Sequence, residues 1–199
     1  MKVLRAAEVF FWAAAAVLLG WYGYVYFERT AWQAREERAF AAAPAASSDV
    51  IGRIEIPRAG VRAMIVRGTT DAALRRAVGH IEGTALPGES GNAGLAGHRD
   101  TFFRGLRNVR KNDTILVRTP SGTYEYRVTS LSIVNPDDVE VLQASADPTL
   151  TLVTCYPFRY VGHAPRRYVV QAREVTPSSE RPERASQAAG LRRKLPRDF

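Results

Sequence analysis

One cysteine and three histidines stand among the 199 residues of this chain. With Cys155 alone, no internal disulfide can form, and no thiolate-rich zinc or iron–sulfur site can be built. His80, His98 and His163 are not spaced at i, i+4 and have no second cysteine or carboxylate cluster beside them, so no metal site is expected. Negative charge is also scarce, at 20 Asp and Glu against 28 Lys and Arg. The net +8 divides into about zero over residues 1–49, about +5 over 50–175 and about +3 over 176–199. Arginine dominates this excess, and nearby aromatics do not interleave with it as a stacking platform for bases requires, so no nucleic-acid partner is expected. A basic face toward anionic lipids or wall polymers, or a plain solvated surface, are the uses left open for it. Internal repeats and βαβ alternation are missing too, which argues against a parallel doubly wound sheet. What is present is a normal apolar fraction of 46%, enough for one domain with an appendage.

The appendage begins the chain. Val9–Phe27 contains no charged residue, and a helix of that length spans a hydrocarbon core of about 30 Å. Lys2 and Arg5 precede it, while Trp21, Tyr22, Tyr24 and Tyr26 gather at its far end as an interfacial belt. The expectation is a membrane anchor with a cytoplasmic amino terminus (residues 1–8) and the remainder outside. A cleaved signal peptide is the competing reading, but the small residues Ala41–Ala46 around Pro44 lie too far beyond the apolar run for the usual cleavage arrangement. Residues 28–49 turn polar, suit a helix to about Ala43, and break at Pro44 and the Ser47-Ser48 pair, which reads as a stalk. Residues 176–199 are rich in Pro, Ser and charge, and are expected to be a disordered basic tail.

The folded unit is therefore 50–175, where short apolar runs alternate with turn signals in the manner of an all-β barrel or sandwich. The runs are Gly52–Ile56, Val61–Val66, Ala93–Gly97, Thr114–Thr119, Thr123–Thr129, Leu131–Val134, Thr149–Thr154 and Arg167–Arg173. Pro120-Ser121-Gly122 makes a hairpin turn before the alternating stretch Thr123–Val128. Asp71–Val78, opened by a Thr-Asp cap, and Thr101–Val109, with Phe102, Phe103, Leu106 and Val109 near one face, are expected to be helical.

Three residues can carry chemistry. Cys155 ends the run Leu150–Thr154 two residues before Pro157, so it sits at a strand exit, either as a buried small apolar residue or facing a groove as a nucleophile. A nucleophilic thiol needs a base or cation nearby. His98 follows the strand-like Ala93–Gly97 and opens a loop, and Gly97 beside it would let a substrate backbone approach closely. His80 and His163 lie in loops and have plain surface readings. Arg167 opens a strand about twelve residues after Cys155 and becomes its neighbour if residues 156–166 fold back, placing a permanent cation by the thiol. Arg166 is its immediate rival.

The segments Gly91–Phe103, Thr151–Phe158 and Ala164–Val170 resemble the sortase family, and are most similar to its class D branch. Thr151-Leu152-Val153-Thr154-Cys155 matches the family's TLxTC signature, Gly97-His98-Arg99 its GHR element, and Arg167 its catalytic arginine. The resemblance covers about residues 50–175 and implies an eight-stranded β-barrel behind one transmembrane helix. It implies Cys155 as nucleophile, His98 as acid/base and Arg167 as the oxyanion or substrate-orienting group, while His80 and His163 fall back to structural or loop roles. Thr154, next to the nucleophile, and Asn92 and Asp100, near His98, are further candidates for substrate binding, with shaping the groove as their plain reading.

The implied activity is a cysteine transpeptidase that needs no metal or organic cofactor. Its implied substrates are exported proteins with an LPxTx-type carboxyl-terminal motif, and its acceptor is an amine of the cell envelope or of a pilin-type protein. Two other classes compete. An L,D-transpeptidase would carry a His-Gly-Cys type element, whereas Thr154 precedes Cys155 here. A non-catalytic, membrane-anchored binding module would keep the barrel without needing Cys155, His98 and Arg167 together.

Overall fold

In the computed structural model, which describes residues 2–42 and 49–175, the short apolar runs close on one another as an eight-stranded barrel. The strands are β1 (Val50–Ile56), β2 (Val61–Arg67), β3 (Val78–His80), β4 (Asn92–Ala96), β5 (Thr114–Thr119), β6 (Gly122–Val134), β7 (Thr149–Tyr156) and β8 (Arg166–Glu174). Their order around the barrel is β1-β2-β3-β4-β7-β8-β6-β5, closed by antiparallel pairing of β5 with β1. Two neighbouring pairs, β2 with β3 and β4 with β7, are parallel. Closure leaves no free edge, and alternate residues of each strand fill the interior. Ile54, Ile56, Ile65, Leu95, Phe103, Ile115, Leu150 and Leu152 are fully buried there. Tyr126 joins them, its hydroxyl accepting the Gly88 N–H at 2.8 Å, and burial pushes its phenol pKa far up.

The strand expectations meet the structure in number but not in every member. Thr123–Thr129 and Leu131–Val134 are one strand, because β6 pairs continuously with β8 through a bulge between Val128 and Ser130. The strand β3 was not expected: it begins at Val78, the last residue of the expected helix Asp71–Val78, and ends at His80, read as a loop residue. That helix, α2, stops at Arg76, capped at its start by the Thr70 hydroxyl, which accepts the Ala73 N–H. Three residues are too few to show a period of two, and β3 exists because β2 and β4 pair with it. Thr101–Val109 yields a 3-10 turn over Arg104–Asn108 in place of a longer helix.

A single helix, α1, runs from Lys2 to Ala42. Its apolar part is long and apolar enough to cross a membrane, and Phe10, Phe11, Trp12, Leu18, Leu19, Trp21 and Tyr22 are each 68–72% exposed, with no protein surface over them. The polar residues after Phe27, expected as a stalk, continue this helix and lie against the barrel. Trp32 and Phe40 pack on Val50, Met64, Val66 and Ala77. Gln33 accepts the Met64 N–H through Oε1 at 2.9 Å and donates to the Arg76 carbonyl through Nε2 at 2.6 Å. Its amide thus fills a gap beside β2, one residue short of where pairing with β3 begins at Ile65. Glu37 receives hydrogen bonds from Arg53 and Arg62, and Glu28 pairs with Arg76 at 3.0 Å. The break expected at Pro44 and the tail expected over 176–199 lie outside the described residues.

Candidate active site

Strand β7 carries the site because of its alternation. Leu150, Leu152 and Thr154 point into the barrel and are buried, while Thr151, Val153 and Cys155 take the opposite, outer face. Cys155 is half-buried and unpaired, at the end of the strand. On one side, the antiparallel register sets Arg167 of β8 directly opposite Cys155. Directly opposed residues share a face, so thiol and guanidinium lie on the same side of the sheet. The rival Arg166 is opposite Tyr156 instead. On the other side, β4 runs parallel to β7 with Ala96 level with Val153. The Gly97 N–H continues that ladder to the Val153 carbonyl at 3.2 Å, and carrying the register on by two residues brings His98 level with Cys155. Cys155, Arg167 and, by extension of the β4 ladder, His98 thus stand level on neighbouring chains, and a thiol, an imidazole and a guanidinium are the ingredients of nucleophilic acyl transfer.

The residues around this trio hold it in place. Thr154 is buried, and its hydroxyl donates to the Gly97 carbonyl at 2.7 Å, pinning the exit of β4 to β7 just before His98. Its side chain therefore faces away from Cys155, beneath the groove. Asn92 is equally buried: its amide donates to the carbonyls of Val141 and Gln143 and accepts the Thr151 hydroxyl at 2.8 Å. It fastens the β6–β7 loop over the outer face of β4. Asp100 is exposed on the loop after His98 and lines a cleft against α1. Gly97 has a different reason from the one expected. A Cβ there would lie 2.8 Å from the ring of buried Phe103, so the space beside it belongs to the core and not to a substrate.

Arg167 donates to the carbonyls of Ala164 and Arg166 at 3.3 and 3.2 Å, which holds its guanidinium at the strand entrance. Below it, Tyr156, Phe158 and Tyr168 pack ring to ring and close the barrel end. Burial, with the neighbouring Tyr156, raises the Tyr168 pKa. His80 is buried and bonded to the Ala85 carbonyl and Thr84 hydroxyl, a structural role, and His163 is exposed on the β7–β8 loop. Sequence reasoning gave Arg99 no job beyond its motif. Its guanidinium donates to the carbonyls of Pro157, Tyr160 and Gly162, tying the loop after His98 to the loop after Cys155. Its place directly after His98 was the available signal.

Comparison with known proteins agrees with the barrel fold. A sortase domain model matches residues 54–175. Sortase D of Bacillus subtilis is 37% identical over 126 residues, covering 63% of this chain and 64% of that protein. Sortase A of Bacillus anthracis is 32% identical, covering 61% and 58%. The match thus spans less than two thirds of the length of these curated relatives. Among solved structures, the Clostridium perfringens sortase D5 transpeptidase superposes with a TM-score of 0.59 at 31% identity, over 71% of this chain and 89% of that one. A pilus-related sortase C of Group B Streptococcus gives 0.61 at 27% identity, over 66% and 70%. With the barrel, the domain match and these relatives in agreement, the chain belongs to the sortase family.

Proposed function

We propose that this protein is a membrane-anchored cysteine transpeptidase acting on exported proteins with an LPxTx-type motif near their carboxyl termini. The observation that carries the reading is the register, which sets Arg167 opposite Cys155 on β8 and His98 level with it beyond β4. The Cys155 thiolate attacks the carbonyl carbon of the motif's Thr, and Arg167 stabilises the oxyanion that develops. As the C–N bond breaks, His98 as imidazolium gives its proton to the departing amine, leaving an acyl-thioester on Cys155. An amine of the cell envelope or of a pilin-type protein then gives a proton to His98 and attacks the thioester, forming a new amide and releasing the thiolate. Water in the same role gives hydrolysis, so keeping it out favours transfer. The chemistry calls for no metal or cofactor.

The helix α1 supplies the anchor, with the amino terminus in the cytoplasm and the barrel outside. Two arms test the reading: the protein with LPxTx peptides alone, and the same peptides with a panel of small amines, analysed by product mass. The expected result is a Thr-amine product that outgrows the hydrolysed one and disappears in Cys155→Ala. Failure to cleave any such peptide would overturn it.

A further inference from the structure

The order of contacts along α1 fixes which end of the barrel faces the apolar run. Two residues past Phe27, the Arg29 guanidinium lies 5.6 Å from the ring of Phe102, in a cleft that Tyr26 and Thr30 share with Asp100 and Arg104. Further along, Gln33 meets Met64 and Glu37 meets Arg53 and Arg62, and Phe40 and Ala41 line a cleft with Arg118–Thr123 at the opposite end. By the rise of a helix, Arg29 stands ~3 Å and Phe40 ~20 Å beyond Phe27. The nearer end is the one with His98, whose carbonyl accepts the N–H groups of Thr101 and Phe103 in a tight turn around Phe102. That places the strand ends bearing His98, Cys155 and Arg167 at the end of the barrel nearer the apolar run, with the turn at Pro120–Gly122 at the end farther from it.

This end has the chemistry of an interface. Arg104, Arg107, Arg110, Lys111, Arg159 and Arg166 are exposed on its loops, against the exposed acids Asp100, Asp137 and Asp138. At the tip of the β7–β8 loop, Tyr160 is 50% and Val161 98% exposed. The pair is held outward, because Arg99 clamps the carbonyls of Pro157, Tyr160 and Gly162 and stacks on the Tyr160 ring at 5.8 Å. An aromatic and an aliphatic residue on a fixed tip, at the end of the barrel whose loops carry these exposed cations, match a layer of anionic headgroups over an apolar interior.

We propose that the active-site end of the barrel seats on the anionic headgroup layer of the membrane that α1 enters, with Tyr160 and Val161 in the interface and the surrounding cations on lipid phosphates. This rests on the anchor reading of α1. Its consequence is that substrate and acceptor reach Cys155 along the membrane surface.

The test uses the full chain in vesicles. An environment-sensitive dye is attached at position 161 of Val161→Cys in a Cys155→Ala background, and in a second sample at position 121 of Ser121→Cys, on the turn at the far end. Vesicles are either phosphatidylcholine alone or phosphatidylcholine with phosphatidylglycerol, each with and without headgroup-proximal nitroxide lipid. In the anionic vesicles the dye at 161 is expected to shift to the blue and lose most of its emission to the nitroxide, while the dye at 121 does neither. Most of the effect should vanish in pure phosphatidylcholine, at high salt, or with Arg107→Glu and Arg110→Glu together. A dye at 161 that stays as wet as the one at 121, on protein that floats with anionic vesicles, overturns the seating but leaves the anchor. Protein that fails to float overturns both. A blue shift appearing only on addition of an LPxTx peptide assigns the tip to substrate docking and also overturns it. Since no activity is read, failure of the transpeptidase reading leaves this result standing.

Discussion

Thr154 and Cys155 are neighbours in sequence and face opposite sides of β7, one bonded into the core and the other on the outer face. The buried hydroxyl holds the backbone at Gly97, directly before His98, while strand pairing sets Arg167 opposite the outer thiol. Replacing Thr154 with Val removes the donor to the Gly97 carbonyl and should cost about 1–2 kcal/mol in denaturant unfolding. It should also lower kcat about tenfold with little change in KM, and Thr154→Ser should restore both; a loss of stability without a loss of kcat would show that the tie is merely structural. At Arg167 the fork matters as well as the charge. Arg167→Ala is expected to reduce kcat/KM about 100-fold, the usual cost of losing an oxyanion donor, and Arg167→Lys should recover only part of it in peptide cleavage assays.

Among the elements, those with local signals were legible and those made by pairing were not. Thr114–Thr119 is β5 to the residue, because turn residues, Asn112-Asp113 before it and Pro120-Ser121-Gly122 after it, bound a short apolar run, Ile115-Leu116-Val117. β3 left no mark in the sequence, since its three residues earn their strand from β2 and β4 on either side. Within it, Gly79 is demanded by close packing: a Cβ there would come within 2.3 Å of the Gly68 carbonyl oxygen, a backbone atom that cannot swing aside. Gly79→Ala should therefore destabilise the barrel by about 2–4 kcal/mol in urea titrations, more than the ordinary cost of a surface change. The site followed the same division. Cys155 and His98 were visible as strand exits, whereas the ties made by Asn92 and Arg99 depend on which loops the closed barrel brings over β4 and β7. Thr154 and Asn92, expected in the groove, are instead its fastenings, because the alternation of β7 and the burial of Asn92 turn their polar atoms to the backbone.

At the scale of the molecule, the barrel and α1 form one packed body, with residues 32–40 of α1 lying against the barrel. Glu28 with Arg76 is one ionic part of that contact, and Glu37, with Arg53 and Arg62, is another. Burial pushes its carboxyl pKa up, but hydrogen bonds and charge from Arg62 and Arg53 outweigh it and hold the value below the ordinary 4.5. A depressed carboxylate pKa means the docking contribution is fully present above about pH 4.5 and is lost as pH falls through the lower, docked value. Proteolysis between the helix and β1, followed across pH, should show earlier release of α1 on acidification, and Glu37→Gln should remove that pH dependence while weakening docking at neutral pH. Part of the basic excess noted in the composition also takes a place at this scale, on the loops at the end of the barrel nearest the apolar run of α1.

The claim on which the rest depends is that Cys155 takes up an acyl group. Intact-protein mass spectrometry after mixing with an LPxTx peptide tests it most directly, with the modified residue located by fragmentation. A mass increase equal to the peptide acyl fragment, placed on Cys155, removed by hydroxylamine and lacking in Cys155→Ala, is the predicted result; an adduct on any other residue, or peptide turnover that persists in Cys155→Ala, would contradict it.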